Sequence, residues 1–385
     1  MRILVLSSST GGGHDMRARS IVSWAAKLST EEQPIEVMRY QALERSSGLY
    51  RFGVNLYNWI QKYSPRLHHL YFNFLEVFQV SMDERWLLGK RRFEEMLKTA
   101  KPDVIVSVHA HTNHAFREAA KRILPTVSFV VYCGEMFGGY GFSRHWVDSG
   151  ADAFVGATAE ICEAAVALEM PAALTMHGGF LLDPRFYKED TDANNDLKKD
   201  LGLKEDRFTL MLSTGANGAQ NHIDFLKALD RAGLKLQVIA LCGRSEEARK
   251  RVASFESQNG DILVSALGYR EDMLELMSCS DVMVARPGTG TTSEAIMAGC
   301  PILFNTLGGI MPQEWITIKY LRHQGLELNR IKRADDLAAG VRELMTDQAR
   351  LHEMSKKMRD LRPDRHPKEI FQYLSEISLK TSALS

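Results

Sequence analysis

Short apolar runs rich in β-branched residues alternate along the chain with stretches whose apolar positions recur every three or four residues. The first run, Ile3–Leu6, enters the turn Ser7-Ser8-Ser9-Thr10-Gly11-Gly12-Gly13-His14, after which Arg17–Leu28 reads as an amphipathic helix. That unit has an echo. Phe208–Leu212 leads into Ser213-Thr214-Gly215-Ala216-Asn217-Gly218-Ala219-Gln220-Asn221-His222, with a helix predicted from about Ile223. A second echo pairs PDVIVSVHAH at 102–111 with SDVMVARPGTG at 280–290, each a short strand leading to a polar loop and then a helix. Further runs at Val127–Val131, Ala153–Val155, Leu236–Ala240, Ile262–Val264 and Pro301–Phe304 alternate with helical patterns. Right-handed βαβ crossovers and parallel sheets are the expected result.

Two echoes in the same order imply two Rossmann-like halves, so the expected fold class is α/β with parallel sheets facing an interdomain cleft. Between the halves, residues 183–207 carry 14 charged residues in 25 and almost no apolar periodicity. The expected organisation is an N-terminal domain at 1–182, a linker at 183–206, a C-terminal domain at 207–345, and terminal helices at 346–385 that could pack on either half. The tail pattern is broken near Leu361–Pro367 and resumes at Glu369–Leu379.

Composition narrows this further. The 385 residues hold 48 Lys+Arg against 48 Asp+Glu, with 45% hydrophobic residues. That excludes disorder and a polybasic nucleic-acid binder, and no nucleic-acid partner is expected. Cys133, Cys162, Cys242, Cys279 and Cys300 are odd in number, scattered and without a CxxC pair, as suits a reducing cytoplasm. The apolar run at the start is too short for a signal-peptide core, and no 18-residue apolar stretch follows.

The sharpest motif runs from Ala285 to Pro301, ARPGTGTTSEAIMAGCP. A strand ends, Gly288 and Gly290 permit a tight turn, and a helix is predicted from about Thr291. Free N–H groups and a positive helix end there suit a diphosphate, and Glu294, placed in the first turn, suits ribose hydroxyls. A plain glycine turn with capping residues reads the same pattern equally well. There is no GK[ST], hence no P-loop, and no third glycine of a dinucleotide fingerprint.

This turn, the Ser293-Glu294-Ala295 that follows, Gly299, Pro301 and then Pro312-Gln313-Glu314 resemble the donor half of the MurG and monogalactosyldiacylglycerol-synthase group of glycosyltransferases, which also includes the processive diacylglycerol glucosyltransferases. Thr10-Gly11-Gly12-Gly13-His14 resembles the acceptor-side loop of the same group. SVHAH, HWVDSGAD (145–152), GGFLLDPRF (178–186), LCGR (241–244) and LGYREDM (267–273) fall in the group's order, so the likeness spans most of residues 1–330.

The resemblance implies the two-domain GT-B architecture, with a nucleotide sugar, usually UDP-linked, on the C-terminal half and the acceptor on the N-terminal half. It assigns Gly288, Thr289, Gly290 and Thr291 to the diphosphate, Glu294 to the ribose, and Gln313 and Glu314 to hydroxyls of the transferred sugar. It places Gly215, Asn217 and Gly218 along the diphosphate, and Arg244 and Tyr269 near the base. Gln313 and Glu314 also read as a solvated loop before a helix at Trp315–Leu321. On the acceptor side it places Gly12, Gly13, His109 and His145. Many members need no metal, so neither metal nor cofactor is expected.

His14 follows three glycines at a predicted helix N-terminus. An imidazole there suits a general base for an acceptor hydroxyl, its ordinary pKa near 6.5 leaving it neutral at pH 7. A substrate-positioning role without titration is the alternative. His109, His111 and His114 invite a metal, yet no carboxylate or cysteine lies near them in sequence. The chain also departs from the group: lipid-galactosylating members carry Thr-Asp after the strand where this chain has Tyr132-Cys133-Gly134-Glu135. If a carboxylate assists the base, Glu135 is the candidate.

Tyr50–Phe78 holds nine aromatics in 29 residues, with Arg51, Lys62 and Arg66 against Glu76 alone. It reads either as helices packed within the N-terminal domain or as a surface for an anionic membrane. The expectation is an inverting glycosyltransferase moving a hexose from a UDP-sugar to a lipid or glycolipid acceptor of diacylglycerol type, cytoplasmic, with a peripheral position on the inner face of the membrane as a further option. A UDP-sugar 2-epimerase and a non-catalytic nucleotide-sugar or lipid-binding protein are the alternatives.

Overall fold

The computed structural model describes residues 1–78, 82–188, 195–213, 221–326 and 329–383. The chain divides into two compact units, Met1–Pro184 with Met311–Ile316 and Pro363–Ser385, and Arg185–Ile310 with Thr317–Arg362. Each unit is built on one six-stranded sheet, and every strand pair is parallel.

In the first unit the strands are β1 (Arg2–Ser7), β2 (Glu36–Gln41), β3 (Val104–Ser107), β4 (Ser128–Cys133), β5 (Ala153–Gly156) and β6 (Thr175–His177), in the order β2-β1-β3-β4-β5-β6. Parallel strands covered by helices on both faces need apolar residues on both. Accordingly β3, β4 and β5 are buried along their whole length. Leu4, Leu6, Ile105, Phe129 and Phe154 form one core with Phe93, Leu97 and Phe116 of the covering helices.

The second unit carries β7 (Thr209–Ser213), β8 (Lys235–Leu241), β9 (Asp261–Leu267), β10 (Val282–Ala285), β11 (Ile302–Asn305) and β12 (Arg330–Ile331), in the order β12-β11-β10-β7-β8-β9. Leu210, Leu212, Val238, Val284 and Leu303 pack there with Phe225, Leu229, Leu337 and Val341.

Both sheets reverse their strand order once, between β1 and β3 in the first unit and between β7 and β10 in the second. In open α/β sheets a crevice opens beyond the carboxyl ends of the strands at such a point. The loop carrying His14 follows β1 and His109 follows β3, while residues 214–220 follow β7 and the Gly288 turn follows β10. The two echoes in the sequence are the segments that follow these four strands.

Three helix boundaries differ from the expected ones. Helix α1 spans Gly13–Leu28, because Gly12 takes the left-handed conformation (φ 84°) that lets the helix begin at once, four residues before Arg17. The helix after β10 begins at Thr289 rather than Thr291, which moves Glu294 into its second turn. Pro312–His323 is a single helix, so Gln313 and Glu314 lie in its first turn and not in a loop. At the tail, the helices Ala334–Thr346 and Gln348–Asp360 belong to the second unit. The last helix, Pro367–Ala383, belongs to the first, where the Trp24 indole donates to the Leu182 carbonyl and meets the His366 ring edge-on.

The aromatic segment forms two helices, Gly48–Tyr63 and His68–Phe78. Val54, Ile60 and His68 are buried, whereas Phe52, Trp59, Tyr63, Leu70, Phe74 and Val77 are exposed. Among the described residues no helix is long and apolar enough to cross a membrane.

Candidate functional site

The glycine-rich loop after β1 is held by side chains from sequence-distant elements. Ser8 Oγ and the Ser9 N–H both donate to Glu44 Oε1 (2.9 and 2.6 Å), and Gln41 Nε2 donates to Ser9 Oγ at 2.7 Å. Asn58 accepts the Gly11 N–H and returns an amide N–H to the Ser9 carbonyl, each at 3.1 Å. Gly11 (φ 68°) and Gly12 (φ 84°) adopt backbone conformations that other residues rarely take. The loop is therefore a fixed shelf, and it presents the start of α1.

His14 stands in the first turn of α1. Its Nδ1 lies 2.7 Å from the Val108 carbonyl. A carbonyl only accepts, so Nδ1 carries the proton and Nε2 keeps its lone pair. Burial first, then the Arg17 guanidinium, lower its pKa to about 3, against the opposing pull of the Val108 carbonyl; His111 adds a further depression. The His14 ring meets His109 edge-on at 4.4 Å between centroids and Trp146 at 5.9 Å.

His109 is buried at the end of β3. Its Nδ1 accepts the His111 backbone N–H at 3.2 Å, which puts the proton on Nε2, 2.9 Å from Thr10 Oγ1. Burial, with His14 and His145 nearby, keeps its pKa well below the ordinary value. His145 is 0% exposed; its Nε2 donates to the Leu75 carbonyl at 3.2 Å and its ring packs on His111 at 4.5 Å. It shapes the site by packing and not by an exposed surface. Among the described residues no group of three His, Cys, Asp or Glu is arranged to hold a metal.

Glu135 follows β4 and is buried. Burial pushes its pKa up to about 6, with Arg17 pulling the other way. Its Oε2 has no hydrogen-bond partner among the described residues. Arg17, 4% exposed, donates to the Gly134 carbonyl at 2.6 Å. A Cβ on Gly134 would stand 1.9 Å from Arg17 Nε, so a side chain here would displace the guanidinium.

Tyr57, on the Gly48–Tyr63 helix, accepts Gln313 Nε2–H at 2.6 Å and meets the His68 ring edge-on at 4.4 Å. Burial, with Glu135 and Glu314 adding to it, raises its phenol pKa. Glu314 is 1% exposed and its Oε2 accepts the Met311 N–H at 2.8 Å. That is the reach-back of a third-position glutamate to its helix cap. The expected solvated loop is thus a buried, capped helix start, and this oxygen of Glu314 is committed to the backbone.

In the second unit, Gly288 caps the Thr289–Ala298 helix without a side-chain hydrogen bond, after a turn closed by the Gly288 N–H on the Arg286 carbonyl at 2.7 Å. Arg286 donates to the carbonyls of Leu307 and Gly309 (2.9 and 2.7 Å), tying this turn to the loop after β11. Thr292 is fully buried and its Oγ1 lacks a partner among the described residues. Arg244 lies over the Tyr269 ring at 4.7 Å, which brings these two expected residues together. Glu294 is partly buried one turn along the helix. Gly215, Asn217 and Gly218 lie outside the described residues.

Sequence reasoning missed Arg17, Glu44, Tyr57 and Asn58. Arg17 shares a helix face with His14 at a three-residue spacing, a signal available in the sequence. The other three arrive from distant segments and had none.

Residues 209–365 match the Glycosyltransferase family 28 C-terminal domain. The chain is 24% identical over 376 residues to the processive diacylglycerol beta-glucosyltransferase of Bacillus subtilis (strain 168), covering 94% of this chain and 91% of that one. It is 23% identical over 366 residues to the protein of the same name from Bacillus cereus (strain G9842), covering 94% and 89%. Among solved structures, Acinetobacter baumannii MurG superposes with a TM-score of 0.60 at 15% identity, over 97% of this chain and 99% of that chain. Anabaena HepE in complex with UDP-glucose gives 0.55 at 14% identity, over 100% and 99%. With its two parallel sheets and their switch-point loops, the chain is a glycosyltransferase of the GT-B fold, similar to MurG and to the processive diacylglycerol glucosyltransferases.

Proposed function

We propose that the protein is an inverting hexosyltransferase that moves a sugar from a UDP-sugar to a hydroxyl of a diacylglycerol-type lipid. The observation that carries this reading is His14, a neutral imidazole at the β1 switch point whose Nδ1–H is engaged by Val108 and whose Nε2 is left as a base. In this reading His14 Nε2, assisted by the Glu135 carboxylate, takes the acceptor proton as the oxygen attacks the anomeric carbon. The first-turn N–H groups of the Thr289–Ala298 helix receive the negative charge of the leaving UDP, and Gln313 orients the sugar. Arg244 and Tyr269 hold the base. Gly12, Gly13 and His109 line the acceptor side. No metal is assigned a role.

The relatives' name supports the lipid acceptor. So does the exposed row Phe52, Trp59, Tyr63, Leu70, Phe74 and Val77, with Arg51 and Arg66 also exposed, which suits docking on an anionic bilayer. The test is incubation of the protein with radiolabelled UDP-hexoses and diacylglycerol in anionic vesicles. A labelled, solvent-extractable glycolipid and free UDP are expected. Intact UDP binding with no transfer to lipid would retire the lipid acceptor, and an isomerised sugar in place of free UDP would retire the transfer reaction.

A further inference from the structure

Arg17 is a buried cation in the middle of the first-unit site. It occupies the turn of α1 after His14, and its guanidinium crosses to the loop after β4, where it donates to the Gly134 carbonyl at 2.6 Å. The space it fills exists because residue 134 has no side chain: a Cβ there would stand 1.9 to 2.4 Å from three guanidinium atoms. His14 and the next residue of that loop, Glu135, both feel its charge.

We infer that Arg17 is a positioning residue of this site: docked on Gly134, its guanidinium fixes the Glu135 loop against the helix that carries His14 and biases both groups toward their proton-accepting forms. The inference rests on the proposed roles of His14 and Glu135. A cation close to a base disfavours its protonated form, whether imidazolium or neutral carboxylic acid, and low surrounding polarity strengthens the effect. Arg17 and His111 oppose protonation of His14, whose ring also faces the neutral His109. Glu135 faces Arg17, with Cys133 and the phenol of Tyr57 nearby, and the phenol of Tyr132 also faces Arg17. Burial lifts the Glu135 pKa to about 6, and without Arg17 it would stand higher still. The guanidinium thus keeps a buried carboxylate charged at neutral pH.

The experiment follows the Glu135 carboxyl by NMR across pH in wild type, Arg17→Gln, Arg17→Lys and Gly134→Ala, using isotope-labelled glutamate with Glu135→Gln for assignment, alongside the pH profile of kcat/KM. Arg17→Gln removes the cation and Gly134→Ala displaces it, so in both the titration midpoint is expected to rise by about one unit. The acid limb of kcat/KM is expected to move to higher pH with it, while Arg17→Lys stays near wild type. Thermal unfolding reports which variants fold, and if Arg17→Gln does not, Gly134→Ala decides. Folded variants whose Glu135 midpoint stays at the wild-type value would overturn the inference and leave Arg17 a packing residue. A moved midpoint in a protein that transfers no sugar would uphold the electrostatic coupling and refute the catalytic reading.

Discussion

The switch points of the two sheets sit in similar scaffolds and carry opposite chemistry. At the first, β1 and β3 deliver titratable side chains: the half-buried His14, the buried His109 and, from the strand beside them, the buried Glu135, with Arg17 among them. At the second, β10 delivers glycines, threonines and a helix start, and the nearby Arg286 spends its guanidinium on backbone carbonyls. In the proposed reading the first holds or moves a proton, and the second meets negative charge with fixed N–H dipoles. One parallel-sheet architecture thus hosts two sites, and the residues grafted on its loops divide the labour between them.

The sharpest way to break the contrast is to remove the base. His14→Ala is expected to lower kcat by about 10²–10⁴-fold with donor KM nearly unchanged, as steady-state kinetics would report. Glu135→Gln is expected to cost about 10²-fold and to abolish the acid limb of the pH profile. The sign follows from burial. The raised pKa of about 6 means that the wild-type carboxylate takes up a proton, and activity falls, as pH drops below that value.

The buried histidines leave a mark on stability as well. Folding depresses the pKa of His14 to about 3 and those of His68 and His222 to about 4, from 6.5. Below pH 6.5 the unfolded chain therefore binds protons that the folded chain refuses, and their contribution to stability is lost as pH falls. Each such histidine adds about 1.4 kcal/mol per pH unit to the slope, and His14→Asn is expected to remove one of them in denaturant titrations. The smallest effect belongs to the second site. Arg244→Ala gives up a cation–π contact of about 0.5–1 kcal/mol, so donor KM should rise about two- to fivefold with kcat unchanged.

What the sequence made legible follows the same contrast. Strands buried on both faces are written as continuous apolar runs, so β1, β3, β4, β7 and β10 stood out, and with them the loops that carry His14, His109 and Gly288. The edge strand β2, EVMRYQ, is half exposed and lacks that signature. Loop positions were readable where glycine and histidine punctuate a strand end. The residues that fix those loops were not, because Glu44 and Asn58 reach Ser9 and Gly11 across 35 and 47 residues of chain. Glu314 shows a second signal in one residue: adjacent to Gln313 it reads as a sugar ligand, and its position three residues after Met311 also lets one carboxylate oxygen cap the helix start.

Sugar transfer with and without the His14 imidazole, measured as glycolipid formed from a radiolabelled UDP-hexose on diacylglycerol vesicles, tests the account most directly. Wild type should form labelled lipid and release UDP, and His14→Ala, still folded and still binding UDP, should fall by about 10²-fold or more. Equal rates in the two proteins would show that the base is elsewhere and contradict the assignment of the proton-accepting site to the first unit.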